Sequence, residues 1–275
     1  MRIKKLTLNN FMAFENAEMN WSDNINIICG ENSTGKTTLL KVMYSLIKPL
    51  SNGSKENLTK EMEEQLFVKK IQGVFRPDEM KIGRLVSRKQ GSNRTEFSVE
   101  LEKKQKITVG FGNRQENHAD IFIDQAEKSK KYDVIYIPTK EMISTVEHFV
   151  SLYDEYHIDF EEMYYDLAKL LDRPLSKGPN TTEQNQVLSN LEDIMKGHFV
   201  STHDYFIQQE FNMIAAYPEL NPKKLDIRFV SLFRDETTRD VQYEMKNSAS
   251  DLEHNAIMQE FDAMYDREQR IIYGE

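Results

Sequence analysis

The opening segment, MRIKKLTLNNF, sets Ile3, Leu6 and Leu8 among polar residues, the near-alternation of a strand with one face exposed. After a turn-like stretch at 20–24 comes Ile25-Asn26-Ile27-Ile28-Cys29. This short, almost continuous apolar run is what a strand shows when both of its faces are covered. Residues 38–47 read as a helix stopped by Pro49, and 51–56 as a polar linker rich in Ser, Asn and Gly. A charged helix is predicted over 58–71, with a turn at Arg76-Pro77-Asp78. Between 82 and 124 the pattern shortens to Leu85-Val86-Ser87, 95–101, 106–111 and 120–124. Turn residues Gly91-Ser92-Asn93 and Gly112-Asn113 separate these pieces and predict an antiparallel meander. Asp133–Ile137, ended by Pro138, predicts a second buried strand.

From 139 to 197 the period is helical. Phe160, Met163, Tyr164, Leu167, Leu170 and Leu171 share one face, closed by Asp172-Arg173-Pro174. Thr181 with Gln184 forms a capping box ahead of Val187, Leu188, Leu191 and Ile194. Beyond Gly197 the signal weakens. Residues 199–208 and 225–233 read as strands, and 251–272 as a terminal helix.

Between the buried strand and the first helix lies Gly30-Glu31-Asn32-Ser33-Thr34-Gly35-Lys36-Thr37, which matches G-x-x-x-x-G-K-[ST] in the context that pattern requires. Glycine at 30 and 35 permits backbone angles and close approaches that a Cβ would block. Backbone N–H groups of the loop, converging at a helix N-terminus, form a nest for phosphate oxygens. Lys36 brings a point charge to the β- and γ-phosphates, and the Thr37 hydroxyl suits Mg²⁺. Residues 30–37 are therefore the candidate nucleotide site. Hydrolysis also calls for a carboxylate at the end of a buried strand. The run Phe229-Val230-Ser231-Leu232-Phe233-Arg234-Asp235-Glu236 is the one apolar stretch ending in Asp-Glu. Arg234 and Ser231 interrupt it, so the preferred reading is a surface strand followed by a charged turn. No catalytic base is assigned.

Composition narrows the remaining choices. Residues 1–150 carry 24 Lys and Arg against 20 Asp and Glu, and residues 151–275 carry 12 against 25. The acidic second part argues against nucleic-acid binding there, because phosphate contacts need local positive charge. Most of these charges read as solvated helix faces. No apolar run reaches the roughly 18 residues of a membrane-spanning helix, and the basic N-terminus lacks the pattern of a secretory signal. The expectation is a cytoplasmic protein without a membrane partner. Cys29, the single cysteine, excludes an internal disulfide and reads as a small apolar residue beside the loop. His148, His157, His254 and the pair His203-Asp204 have no ligand spacing. Phe11 and Phe14 could reach an adenine, but core packing is the preferred role.

A strand ending in Asn10-Phe11, then a buried strand and a phosphate loop that starts Gly30-Glu31-Asn32, resembles the ABC-type ATPase heads of the SMC/RecF group. It is most similar to the RecF-like, AAA-type ATPases of prokaryotic genomes, often paired with effector nucleases in defence or overcoming-lysogenization systems. The resemblance covers residues 1–45 and continues more loosely through the meander and 134–142. It implies ATP bound by Gly30, Glu31, Asn32, Ser33, Thr34, Gly35, Lys36, Thr37 and Thr38, with Mg²⁺ on Thr37. It also implies a site shared between two protomers and completed by a Ser-Gly signature and a Walker B Asp-Glu. Met12 stands where the group has Arg, Lys246-Asn247-Ser248-Ala249-Ser250 lacks the signature glycine, and residues after about 205 depart from the group's C-terminal lobe.

The expected fold is α/β, a P-loop NTPase of the ABC-head kind with an antiparallel β meander and a helical insertion. Its divisions are an N-terminal lobe over 1–140, a helical subdomain over 141–200 and an α/β region of unassigned role over 201–275. Three functions stay open. One is a Mg-ATP-binding ATPase that hydrolyses only as a homodimer or with a partner, in DNA repair or phage defence. Another is a nucleotide-regulated module that docks an effector such as a nuclease. The third is a P-loop kinase. Nucleic acid as a partner is left open.

Overall fold

The computed structural model describes residues 2–51, 59–124, 134–139, 146–156, 158–172 and 197–273. The chain divides into two compact units. The first comprises Met1–Leu40, Val99–Lys104 and Leu191–Glu275, and the second Lys41–Ser98 and Gln105–Asn190.

In the first unit β1 (Ile3–Phe11) and β2 (Phe14–Asn20) form an antiparallel hairpin running from Lys5↔Asn20 to Phe11↔Phe14. Leu6, Leu8 and Phe11 from one strand and Phe14, Ala17 and Met19 from the other are buried, and the residues between them are more open to solvent. The other sheet of this unit is built around β3 (Ile25–Gly30), which is parallel to both β7 (His198–Ser201) and β8 (Ile227–Arg234). β8 pairs antiparallel with β9 (Val241–Lys246), giving the order β7-β3-β8-β9. All six residues of β3 are buried, as its apolar run requires. Ile25, Ile27 and Cys29 pack with Ile227, Phe229, Leu252 and Ile257. Each large apolar side chain so covered contributes about 1.5–3 kcal/mol relative to exposure.

Two helices border that core. Of these, α5 (Tyr205–Ala216) begins at Asp204, whose carboxylate accepts the N–H groups of Phe206 and Ile207. The ring of Tyr205 stacks on Phe261 of α6 (Ala256–Tyr273), with centroids 3.8 Å apart.

Helix α1 (Lys36–Ile47) starts in the first unit and continues into the second. There α2 (Lys60–Phe75) is capped by the Thr59 hydroxyl and ended by Arg76 in a left-handed conformation. Strands β4 (Arg94–Leu101), β5 (Lys106–Gly112) and β6 (Asp120–Ile123) follow one another in the sheet, β5 and β6 antiparallel. The last part of β4, Val99–Leu101, belongs to the first unit. Phe97 and Phe111 meet edge to face at 6.0 Å. α3 (Val146–Tyr156) and α4 (Glu162–Leu171) pack through Phe149 and Ala168. A set of charges ties α1, α2 and α4 together. Lys70 pairs with Glu162 and, at 3.1 Å, with Asp166, which also accepts from the Tyr44 hydroxyl, and Lys41 pairs with Glu161.

Four readings from the sequence need correction. Residues 199–208 are not one strand, because β7 stops at Ser201 and Asp204 starts a helix. Residues 134–137 form no strand. Val134 and Tyr136 pack beside Tyr44, Val74 and Met163, while Ile135 and Ile137 are 59% and 80% exposed, so a segment that joins neither sheet among the described residues produced the same apolar spacing. Ile82–Leu85 is a 3₁₀ turn leading to an isolated bridge at Val86. Strands β2 and β9 went unassigned. The linker beyond residue 51, Asp133, residues 140–142, His157, and 173–196 with its capping box lie outside the described residues.

Burial raises the Glu162 carboxyl above the ordinary range, and Lys70 opposes that shift. A raised folded-state pKa favours the fold at low pH and costs stability as pH rises. Lys70→Met should therefore destabilise the protein by about 2 kcal/mol at neutral pH, less than for a fully buried pair because Glu162 is partly exposed. That cost should shrink as pH is lowered through the carboxylate range, which urea unfolding at several pH values will measure.

Candidate nucleotide site

Because β7, β3 and β8 are parallel, their carboxyl ends open at one edge of the sheet, the position where open α/β sheets take ligands. Thr202-His203 follow β7, residues 31–35 follow β3, and the turn 235–240 follows β8. Leu232 pairs with Gly30, so β3 and β8 run level to the start of the loop.

Both loop glycines are sterically obligatory. Gly30 has φ of +132°, and a Cβ there would lie 2.1 Å from the Leu232 carbonyl oxygen. Gly35 has φ of +94°, and its Cβ would lie 2.7 Å from the Phe14 ring. Phe14 is thus the floor beneath the loop. It and Phe11 are fully buried, so both serve in packing and neither faces a ligand.

The polar atoms of the loop divide in a regular way. The Lys36 ammonium donates to the carbonyls of Gly30 at 2.7 Å and Glu31 at 2.6 Å. The Thr34 hydroxyl also donates to Glu31, and the Arg234 guanidinium donates to Ser33 at 2.8 Å. Three of the loop's carbonyls therefore accept from side chains of the same chain. The first bond of α1 runs from Leu39 N–H to Gly35. Helix geometry leaves the N–H groups of Lys36, Thr37 and Thr38 without carbonyls of their own helix. Donors gathered at a helix N-terminus, under its positive dipole end, favour an anion.

Lys36 is buried, and burial lowers its pKa, partly offset by Cys29 and Glu31. Thr37 is exposed at the helix start, as are Glu31, Asn32 and Ser33 along the loop, while Thr34 is buried. Burial pushes the Cys29 thiol up to about 11, and the Gln208 amide donates to its sulfur at 3.4 Å. A thiol so placed is a packing group, because the reactive form is the thiolate.

The Asp-Glu run takes a form between the two sequence readings. Phe229, Val230 and Leu232 are fully buried, so β8 is a core strand, and the turn after it is charged. Asp235 accepts the N–H groups of Thr237 and Thr238, which hold its carboxyl below the usual range. The interruption at Arg234 marks the residue that crosses to the loop, and at Ser231 a hydroxyl that donates to the His254 carbonyl. His203, exposed at the end of β7, has its pKa lowered by partial burial and by the charge of Lys36. Asp204 is a helix cap. Among the described residues no group of three His, Cys, Asp or Glu is arranged to hold a metal, and no helix is long and apolar enough to cross a membrane.

A family model described as an AAA ATPase domain matches residues 1–262. Among curated proteins, the Rad50 ATPase of DNA double-strand break repair from Saccharolobus solfataricus is 39% identical over 59 residues, 21% of this chain and 7% of the relative. The DNA replication and repair protein RecF of Macrococcus caseolyticus is 48% identical over 46 residues, 17% of this chain and 12% of the relative. RecF of Streptococcus gordonii is 28% identical over 108 residues, 39% of this chain and 26% of the relative. The chain thus matches about a quarter or less of each of these proteins. Among solved structures, the SMC head domain of Thermotoga maritima aligns over 89% of this chain and 98% of its own, at 13% identity and a TM-score of 0.36. The ATP-bound recombination mediator RecF aligns over 84% of this chain and 60% of its own, at 12% identity and a TM-score of 0.31.

Gly30→Ala should cost roughly 2–4 kcal/mol, since the new Cβ forces β3 away from β8 in addition to the unfavourable φ. Denaturant unfolding will show it as a lower midpoint with an unchanged slope.

Proposed function

This chain belongs to the AAA ATPase domain family, and from that premise we propose that residues 30–38 bind ATP together with Mg²⁺. In this reading the N–H groups of the loop and of the start of α1 hold the α- and β-phosphates, and Lys36 leaves its two carbonyls for the β- and γ-phosphates. Asn32, Ser33 and Thr34 supply loop N–H groups, Glu31 turns the chain out of β3, and Thr38 continues the donor row. Thr37 is the protein's ligand for Mg²⁺, which otherwise keeps waters and phosphate oxygens around it. What best supports the reading is the division of the loop's polar atoms, with carbonyls engaged by Lys36, Thr34 and Arg234 and donors at the helix end. The fit is also steric, because Gly30 and Gly35 leave a cradle that a Cβ would fill.

Hydrolysis is assigned to a second protomer or a partner chain acting on this site. In support, Asp235 is engaged by the N–H groups of its own turn. The relatives act in DNA double-strand break repair and in DNA replication and repair, which, with the resemblance to the SMC/RecF group, supports DNA repair or phage defence as the setting. A docking role for the acidic C-terminal part is a second reading, favoured by Met264, Tyr265, Ile271 and Ile272 standing exposed along α6.

Calorimetric titration with Mg-ATP tests the first reading. Lys36→Ala should weaken binding at least tenfold, in line with loss of a charge-assisted contact, and unchanged affinity would refute it. Thr37→Ala should abolish the gain in affinity that Mg²⁺ gives while leaving Mg-free binding intact. If a second protomer completes the site, the turnover per chain should rise with protein concentration, with free phosphate as product. A phosphorylated acceptor would mark a kinase instead.

A further inference from the structure

Arg234 lies at the end of β8, 201 positions after the serine whose carbonyl it holds. One guanidinium nitrogen donates to Ser33 O at 2.8 Å, and another donates to Arg239 O at 3.0 Å. The turn that carries it is closed by its own bonds. Asp235 N–H donates to Asp240, Arg239 N–H donates to Asp235, and the Asp235 carboxylate caps two further N–H groups. The guanidinium fork is planar and presents fixed donors. Two carbonyls on either side set its plane, and that plane in turn sets the Ser33 carbonyl.

Ser33 needs such a hold. Its φ is +64°, a left-handed conformation that costs a residue with a Cβ about 1 kcal/mol or more. The chain has no cis peptide among its described residues. In a planar trans peptide the C=O and the following N–H point in opposite directions. Drawing the Ser33 carbonyl toward Arg234 therefore turns the Thr34 N–H the other way, away from the guanidinium. We propose that Arg234 is a positioning residue for nucleotide binding, fixing the Ser33–Thr34 peptide so that the loop's N–H groups meet phosphate. The inference rests on the nucleotide reading of residues 30–38. It gives a role to the residue that breaks the apolar run before Asp235-Glu236.

Because Arg234 acts through the loop, its removal should weaken ligands with a diphosphate equally, whether or not they have a third phosphate. Titration of the full chain with Mg-ADP and with Mg-ATP, at one salt concentration, reads this directly. Arg234→Ala should raise both dissociation constants by the same factor, about three to ten, as expected for one exposed charge-assisted hydrogen bond. Arg234→Lys, able to reach one of the two carbonyls, should fall between it and wild type. It also carries the test if the alanine variant does not fold. Arg239→Asn removes an equal charge from the same turn, keeps the acceptor carbonyl and suits the left-handed φ of 61° at that position. It should bind as wild type does.

Three results would overturn the proposal: no change in Arg234→Ala, a loss confined to ATP (direct contact with the third phosphate), or an equal loss in Arg239→Asn (bulk charge). The parent reading fails separately, if wild type binds neither nucleotide or if Lys36→Ala binds as tightly as wild type.

Discussion

A Cβ on residue 30 would sit 2.1 Å from the carbonyl oxygen of Leu232, so the pairing of β3 with β8 can run to the end of β3 only with glycine there. That pairing decides where everything else in the first unit can go. It brings the end of β8 level with the start of the loop, so a side chain two residues further on can reach the loop's outer carbonyl. It also makes β3 a central strand with covered faces, which is why its residues are aliphatic or small and why Asn26 is held by Ser22 at the far end. Gly35 meets a matching limit from below, set by the Phe14 ring. The loop is thus fixed between a strand at its start and an aromatic floor at its end.

Within those limits, the electrostatics follow from satisfaction of backbone groups. A loop at the edge of a sheet exposes both N–H and C=O groups, and only the former suit an anion. Lys36, Thr34 and Arg234 take up carbonyls, which leaves the local field positive. Elsewhere in the chain, in the second unit, buried charge is handled by neutralisation. Lys70 balances two carboxylates and Lys41 a third, since uncompensated burial of either sign is costly. Part of the acidity of the C-terminal part stays exposed, on α6 at Glu260, Asp262, Asp266 and Glu268 and in the turn at Glu236.

The parts legible from sequence were those set by local pattern. β1, β3, the loop and α1 lie where alternation, apolar run and glycine spacing put them. The two aromatic residues near β1 were rightly placed in the core. What pattern missed has physical causes. Asp204 is a strong helix cap, but Phe199 and Val200 before it and Tyr205, Phe206 and Ile207 after it gave a strand-like composition across the boundary. Val241, Tyr243 and Met245 alternate with polar residues as an edge strand should, in a stretch too short and polar to stand out. At 134–137 the opposite occurred, because alternate packing of Val134 and Tyr136, in a segment that joins neither sheet among the described residues, imitates a strand. The reach of Arg234 to Ser33 could not be read at all. It depends on the parallel register of strands about 200 residues apart, and the sequence showed only a charged residue in an apolar run.

Both neighbours of β3 come from the far end of the sequence, with His198 meeting Asn26 across 172 positions. During synthesis, at about 5–20 residues per second, this fully buried strand would emerge roughly 10–30 s before either partner exists. Through that interval it presents two unsatisfied edges and can be paired by any other extended chain. The arrangement that covers both edges of β3 in the finished fold thus leaves those edges bare in the nascent chain until residues 198–234 follow.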